Sequence, residues 1–152
     1  MRILLDTNVL VGLVEPKHLF HQAATEAVHL LGMRKQRLCI VPQVFCEYWV
    51  VSTRPTAQNG RGRKSDDVAI EIAFLEAHFE VLPDTARIFD EWKRLVSTCQ
   101  ISGKLAHDAR LAAAMIAHGV RHVLTSNDAD FRRFPNITVL TPAAVVSGAL
   151  PS

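Results

Sequence analysis

Two periodicities alternate along the chain. Compact apolar runs of strand length stand at residues 3–5, 38–41, 80–82, 122–125 and 137–140. Between them apolar residues recur every three or four positions, which predicts helices over residues 9–14, 20–31, 43–53, 66–78, 85–99 and 105–118. Pro42 is placed to open the third of these helices, and Gly119 to close the last. Strands alternating with helices, without an internal repeat, predict an α/β architecture.

Composition narrows this picture without changing it. At 152 residues, 49% hydrophobic and 21% charged, the chain fits one globular domain. A chain of this size can bury roughly 68–70% of its unfolded surface. A net charge of +2 is too small to announce a nucleic-acid binder from bulk charge, so any basic patch must be local. Cys39, Cys46 and Cys99 form no C-x-x-C pair and suggest neither a disulfide framework nor a zinc site. They read as small core hydrophobes in a reducing cytoplasm. The first apolar run is too short for a signal sequence or a membrane span.

The candidate chemistry lies in the acids. Glu47 has Val44, Val50 and Val51 at helical spacing around it, and Asp108 has Leu105, Leu111, Ala112 and Met115. A carboxylate on an apolar helix face is costly unless something pairs with it, and an arginine, a backbone N–H or a cation could each serve. Asp6 and the segment Asn127-Asp128-Ala129-Asp130 each follow an apolar strand run. Taken singly, these are ordinary turn or cap positions. Ligand sites in open α/β sheets lie outside the carboxyl ends of strands, so all four acidic positions are compatible with one end of one sheet. Gathered carboxylates repel one another unless a cation neutralises them. An all-oxygen donor set favours Mg²⁺ or Mn²⁺, ions that activate water for attack on phosphorus.

With these residues in hand the chain resembles the PIN-domain ribonucleases, in particular the VapC-type toxins of toxin–antitoxin pairs. The resemblance is carried by Leu4-Leu5-Asp6-Thr7-Asn8, Phe45-Cys46-Glu47, Leu105-Ala106-His107-Asp108-Ala109 and Leu124-Thr125-Ser126-Asn127-Asp128-Ala129-Asp130-Phe131, in that order. It implies a single domain over residues 1–152 with a central parallel sheet flanked by helices. It also implies metal-binding, catalytic roles for Asp6, Glu47 and Asp108. Asp128 is the first expectation for the fourth acid and Asp130 its alternative. Thr7 and Asn127 would support the site by hydrogen bonds. The resemblance further implies an RNA substrate, a homodimer, and an antitoxin that blocks the site.

Other features carry two readings. Residues 54–64 combine loop chemistry with Arg54, Arg61, Arg63 and Lys64, and form the expected mobile segment. Those cations could contact RNA phosphates, or the loop could simply be solvated or dock an acidic antitoxin segment. His107 reads as a structural or surface histidine, since it cannot share a helix face with Asp108. Trp49 and Trp92 could stack on bases, but their apolar positions favour packing.

Two rival functions remain. Asp6 as a phosphatase nucleophile would call for a second aspartate two residues on, where Asn8 stands. A catalytically silent RNA-binding or interaction module on the same fold would lack one of the acids.

Overall fold

In the computed structural model, which describes residues 1–149, five parallel strands form one sheet. They are β1 (Arg2–Leu5), β2 (Arg37–Ile40), β3 (Glu80–Val81), β4 (His122–Leu124) and β5 (Thr138–Leu140), in the order β3-β2-β1-β4-β5. The central strand β1 pairs Leu4 with Cys39 on one side and with Val123 on the other. Ile3, Leu4 and Leu5 are wholly buried, which is why this strand reads as a continuous apolar run rather than an alternation.

Among the described residues seven α-helices flank the sheet: α1 (Thr7–Val14), α2 (His21–Met33), α3 (Pro42–Thr53), α4 (Ser65–His78), α5 (Ala86–Thr98), α6 (Leu105–Ala117) and α7 (Pro142–Val146). Helix α1 packs on α2 and α3, α2 on α7, α3 on α4, and α5 on α6. Among the described residues no helix is long and apolar enough to cross a membrane.

The six predicted helices and five predicted strands are all present, with ends shifted by one or two residues. Helix α7 was not anticipated, although its signals stand in the sequence: Pro142 at the first position, and Thr141, whose hydroxyl accepts the Ala144 N–H at 3.2 Å.

The chain runs from β1 outward through β2 to β3, then returns across the sheet to β4 and β5. The strand order therefore reverses between β1 and β4. At such a switch point the two flanking connections leave in opposite directions and open a crevice outside the carboxyl ends of the strands. Asp6 and Thr125 are the residues immediately beyond β1 and β4 at this place.

The basic loop, the expected mobile segment, is hydrogen-bonded to the helix before it. It folds back over the C-terminus of α3, where Arg61 N–H donates to the Val51 carbonyl, Gly62 N–H to that of Arg54 and Arg63 N–H to that of Ser52, each at 2.9 Å. Carbonyls that a helix end would leave unpaired are thus satisfied by the loop. Asn59 takes the left-handed conformation at φ 59°, and a side chain at Gly60 would strike the Arg54 carbonyl at 1.9 Å.

The Arg61 side chain points inward. Its guanidinium donates to both oxygens of Glu71, at 2.8 and 3.0 Å, and to Ser52 and Tyr48 on α3. Burial works against the Glu71 charge, but these hydrogen bonds from Arg61 and Tyr48 prevail and hold its carboxyl below the usual range. Arg61 therefore pins the loop and α4 to α3 and is withdrawn from any substrate, contrary to the expectation from sequence. Its side chain and that of Glu71 are only 8% and 13% exposed, so losing one partner strands the other. Urea unfolding at pH 7 is expected to show Glu71→Gln destabilised by about 3 kcal/mol. Lys64→Ala, at an exposed position, should stay within about 0.5 kcal/mol of wild type.

Candidate active site

The site grows from the end of β1. Asp6 caps α1, with Oδ1 accepting the Thr7 N–H at 2.7 Å. Its Oδ2 accepts the Thr125 hydroxyl at 2.6 Å and the Asn8 side-chain amide at 2.9 Å. Asn8 also receives the Ser126 N–H on its Oδ1 at 2.9 Å, so the turns after β1 and β4 are tied together. Asp6 is 8% exposed. Burial raises its pKa, the hydrogen bonds from Thr125 and Thr7 oppose that rise, and the neighbouring Glu47 adds to it.

Glu47 comes from α3. Its Oε2 accepts the Thr7 hydroxyl and its Oε1 the Gln43 amide, both at 2.9 Å. Gln43 donates as well to the carbonyl of His107 at 2.8 Å, which joins α3 to the first turn of α6, where Asp108 stands. Asp108 is half-buried, and its pKa is pushed up to about 6 by burial and then by the charges of Asp130, Asp6 and Glu47, with Arg133 opposing.

Beyond β4 the network continues. Thr125 Oγ1 accepts the Asn127 N–H at 3.0 Å, and the Asn127 side-chain amide donates to Asp130. Asp130 lines the same cleft as Asp6, Glu47 and Asp108. Asp128 does not. It turns to Arg132, whose guanidinium holds its carboxyl below the usual range. Of the two candidates for the fourth acid, the fold brings Asp130 to the cleft. Asp128–Asp130 is a single 3₁₀ turn, and at three residues per turn its first and third side chains diverge by roughly 120°. Only one of them can face the cleft.

The cleft has a volume of about 650 Å³, and no Lys or Arg lines it among the described residues. Arg54, Arg61, Arg63 and Lys64 lie outside it. Arg54 donates to the Asn59 carbonyl within its own loop, Arg63 leans on Glu71, and Lys64 is exposed. Cys39 is buried as expected, but Cys46 is exposed on the cleft wall. His107 is exposed at the rim. Trp92 packs by donating its indole N–H to the Ala106 carbonyl at 2.9 Å, and Trp49 is 37% exposed outside the cleft lining.

Sequence reasoning assigned no role to Thr125, Asn8 or Gln43. Gln43 was findable four residues before Glu47 on one helix face. Thr125 needed the sheet order, which alone shows that β4 lies beside β1.

Four carboxylates share a cleft in whose lining no Lys or Arg stands among the described residues, a donor set that suits a hard divalent ion. As placed, no three of the described His, Cys, Asp or Glu side chains form a ready ligand set around one point.

The PIN domain model matches residues 3–137. The chain belongs to the PIN-domain family. Solved structures with the same fold include the VapBC2 complex of Rickettsia felis bound to a promoter DNA fragment, at 18% identity, covering 93% of this chain and 98% of that one, with a TM-score of 0.72. The VapBC-1 structure of nontypeable Haemophilus influenzae is similar at 15% identity, 94% and 99% coverage and a TM-score of 0.68. A Mycobacterium tuberculosis VapC toxin described as sarcin-ricin loop cleaving is similar at 20% identity, 80% and 86% coverage and a TM-score of 0.57. No curated protein matches the chain.

The raised Asp108 pKa has a stability consequence for the PIN domain. Its carboxyl ionises at 3.8 in the unfolded chain and at about 6 in the fold, so its contribution is fully present below pH 3.8 and lost as pH rises through 6. In metal-free buffer, Asp108→Asn should melt above wild type at pH 7.5, with the gap narrowing as pH falls toward 4.

Proposed function

We propose that this PIN domain is a divalent-metal-dependent endoribonuclease, the toxin of a toxin–antitoxin pair. The observation that carries the reading is the convergence of Asp6, Glu47, Asp108 and Asp130 on one cleft that, among the described residues, no Lys or Arg lines. These four are the residues that would hold Mg²⁺ or Mn²⁺. When bound, the ion supplies an activated water and neutralises charge developing on the phosphate.

The remaining residues hold the acids in place. Thr125, Asn8 and the Thr7 N–H fix both oxygens of Asp6, and Thr7 and Gln43 fix both oxygens of Glu47. Asn127 orients Asp130. Each carboxylate keeps only part of its lone-pair capacity for an ion, which restricts the direction from which a ligand can be taken.

RNA as substrate draws support from family membership and from the M. tuberculosis neighbour described as cleaving the sarcin-ricin loop. An antitoxin partner draws support from the VapBC complexes that share the fold. A homodimer and a cytoplasmic site of action complete the proposal, both carried by the resemblance of the motifs to VapC-type toxins.

Incubating total RNA with the purified protein tests the reading. Discrete fragments should appear with Mg²⁺ or Mn²⁺, disappear with EDTA, and be absent with Asp6→Asn. Absence of metal-dependent cleavage by the folded wild type would instead favour a silent binding module. Thr125→Val, which removes a bond to Asp6 without removing a carboxylate, should lower metal affinity or activity roughly 10–100-fold.

A further inference from the structure

The acid set occupies only part of its cleft. Besides the acids and the polar residues that hold them, the wall includes an aliphatic part made by Val11 on α1 and Cys46, Val50 and Val51 on α3, with His18 in the connection from α1 to α2. Val50 is 55% exposed although it stands in a concavity rather than on a convex helix face. Val50 and Val51 follow Glu47 by three and four residues, so they share its face one turn along, about 5.4 Å down the helix axis. Of the three valines at helical spacing around Glu47, Val44 is buried in the core, whereas Val50 and Val51 line the cleft.

His18 contributes the one polar edge among these groups. Its Nδ1 accepts the Phe20 N–H at 3.2 Å, and its ring tilts against that of Phe20 at 5.8 Å between centroids. Acceptance at Nδ1 selects the tautomer that carries the proton on Nε2. The second half of the cleft therefore combines aliphatic surface with a ring N–H donor, and it adjoins the place where a phosphate would meet the acids.

We infer that this half is a base-binding subsite, in which Val50, Val51 and Val11 contact the face of an unstacked nucleobase beside the scissile phosphate while His18 Nε2 donates to an acceptor on its edge. A nucleobase has an apolar face and a polar rim, the combination that this wall complements. Bases inside a duplex keep their faces stacked and out of reach, so the substrate class is single-stranded or loop RNA. Val50 and His18 are thus specificity-determining residues, separate from the acids that carry the chemistry. The inference rests on the ribonuclease reading for the identity of the ligand.

Binding rather than cleavage tests it. Fluorescence anisotropy would be measured on the intact protein in Ca²⁺ with labelled hexaadenylate, hexauridylate, hexacytidylate and an abasic hexamer of ribose phosphate, each probe checked for integrity on a gel. Wild type should bind at least one base-bearing hexamer more tightly than the abasic one. Val50→Ser and His18→Ala should each weaken that hexamer roughly tenfold, the worth of one apolar contact or one hydrogen bond, and leave the abasic one unchanged.

Equal wild-type affinity for abasic and base-bearing probes would overturn the subsite. So would variants that lose nothing, or that lose equally on both kinds of probe. The two readings fail separately: metal-dependent cleavage with base-indifferent binding removes the subsite alone, and base-dependent binding without cleavage removes the chemistry alone.

Discussion

The hydrogen bond from the Thr125 hydroxyl to Asp6 Oδ2, 2.6 Å long, joins the ends of two neighbouring strands at the point where the sheet reverses its order. A carboxylate buried to this degree would be severely destabilising without partners. Asp6 has three donors, and two of them come from the tight turn that starts α1. Thr125 in turn receives the Asn127 N–H, and Asn127 holds Asp130. The geometry of two of the four acids thus follows from one bond between β1 and β4. On the other side Thr7 and Gln43 extend the same network to Glu47 and the start of α6.

Around this network the molecule divides its tasks. The buried Arg61–Glu71 pair locks α3, α4 and the loop between them, and so fixes the helix that presents Glu47 and Val50. The cleft itself carries strain of a different kind. Burial, and after it the charges of Asp130, Asp6 and Glu47, raise the pKa of Asp108 toward neutrality, and a cation would relieve the electrostatic part of that cost. Positive charge is spent on holding the frame, while negative charge is left unneutralised where a ligand is to bind.

Much of this was legible in the sequence. The uninterrupted apolar run of β1, Pro42 at the start of α3 and the alternation of periodicities gave the α/β order, and the motifs around Asp6, Glu47 and Asp108 led to residues that the fold brings to one cleft. What escaped reading depended on three-dimensional direction. Asp128 and Asp130 are equivalent by composition, and only the 3₁₀ turn separates them. Arg61 looks like a loop cation because nothing local reveals that Glu71, ten residues later, faces it from the next helix. Val50 and Val51 look like core because periodicity marks a helix face without saying whether packing or a cleft lies opposite. Cys46 escaped for the same reason.

The most direct test of the account is calorimetric titration of Mn²⁺ into the metal-free protein and into Asp130→Asn and Asp128→Asn. The account predicts binding to wild type, its loss or strong weakening in Asp130→Asn, and wild-type behaviour in Asp128→Asn, whose side chain faces Arg132 instead of the cleft. Mn²⁺ affinity unaffected by the loss of Asp130, or absent from the folded wild type, would contradict the claim that these converging acids form a single cation site.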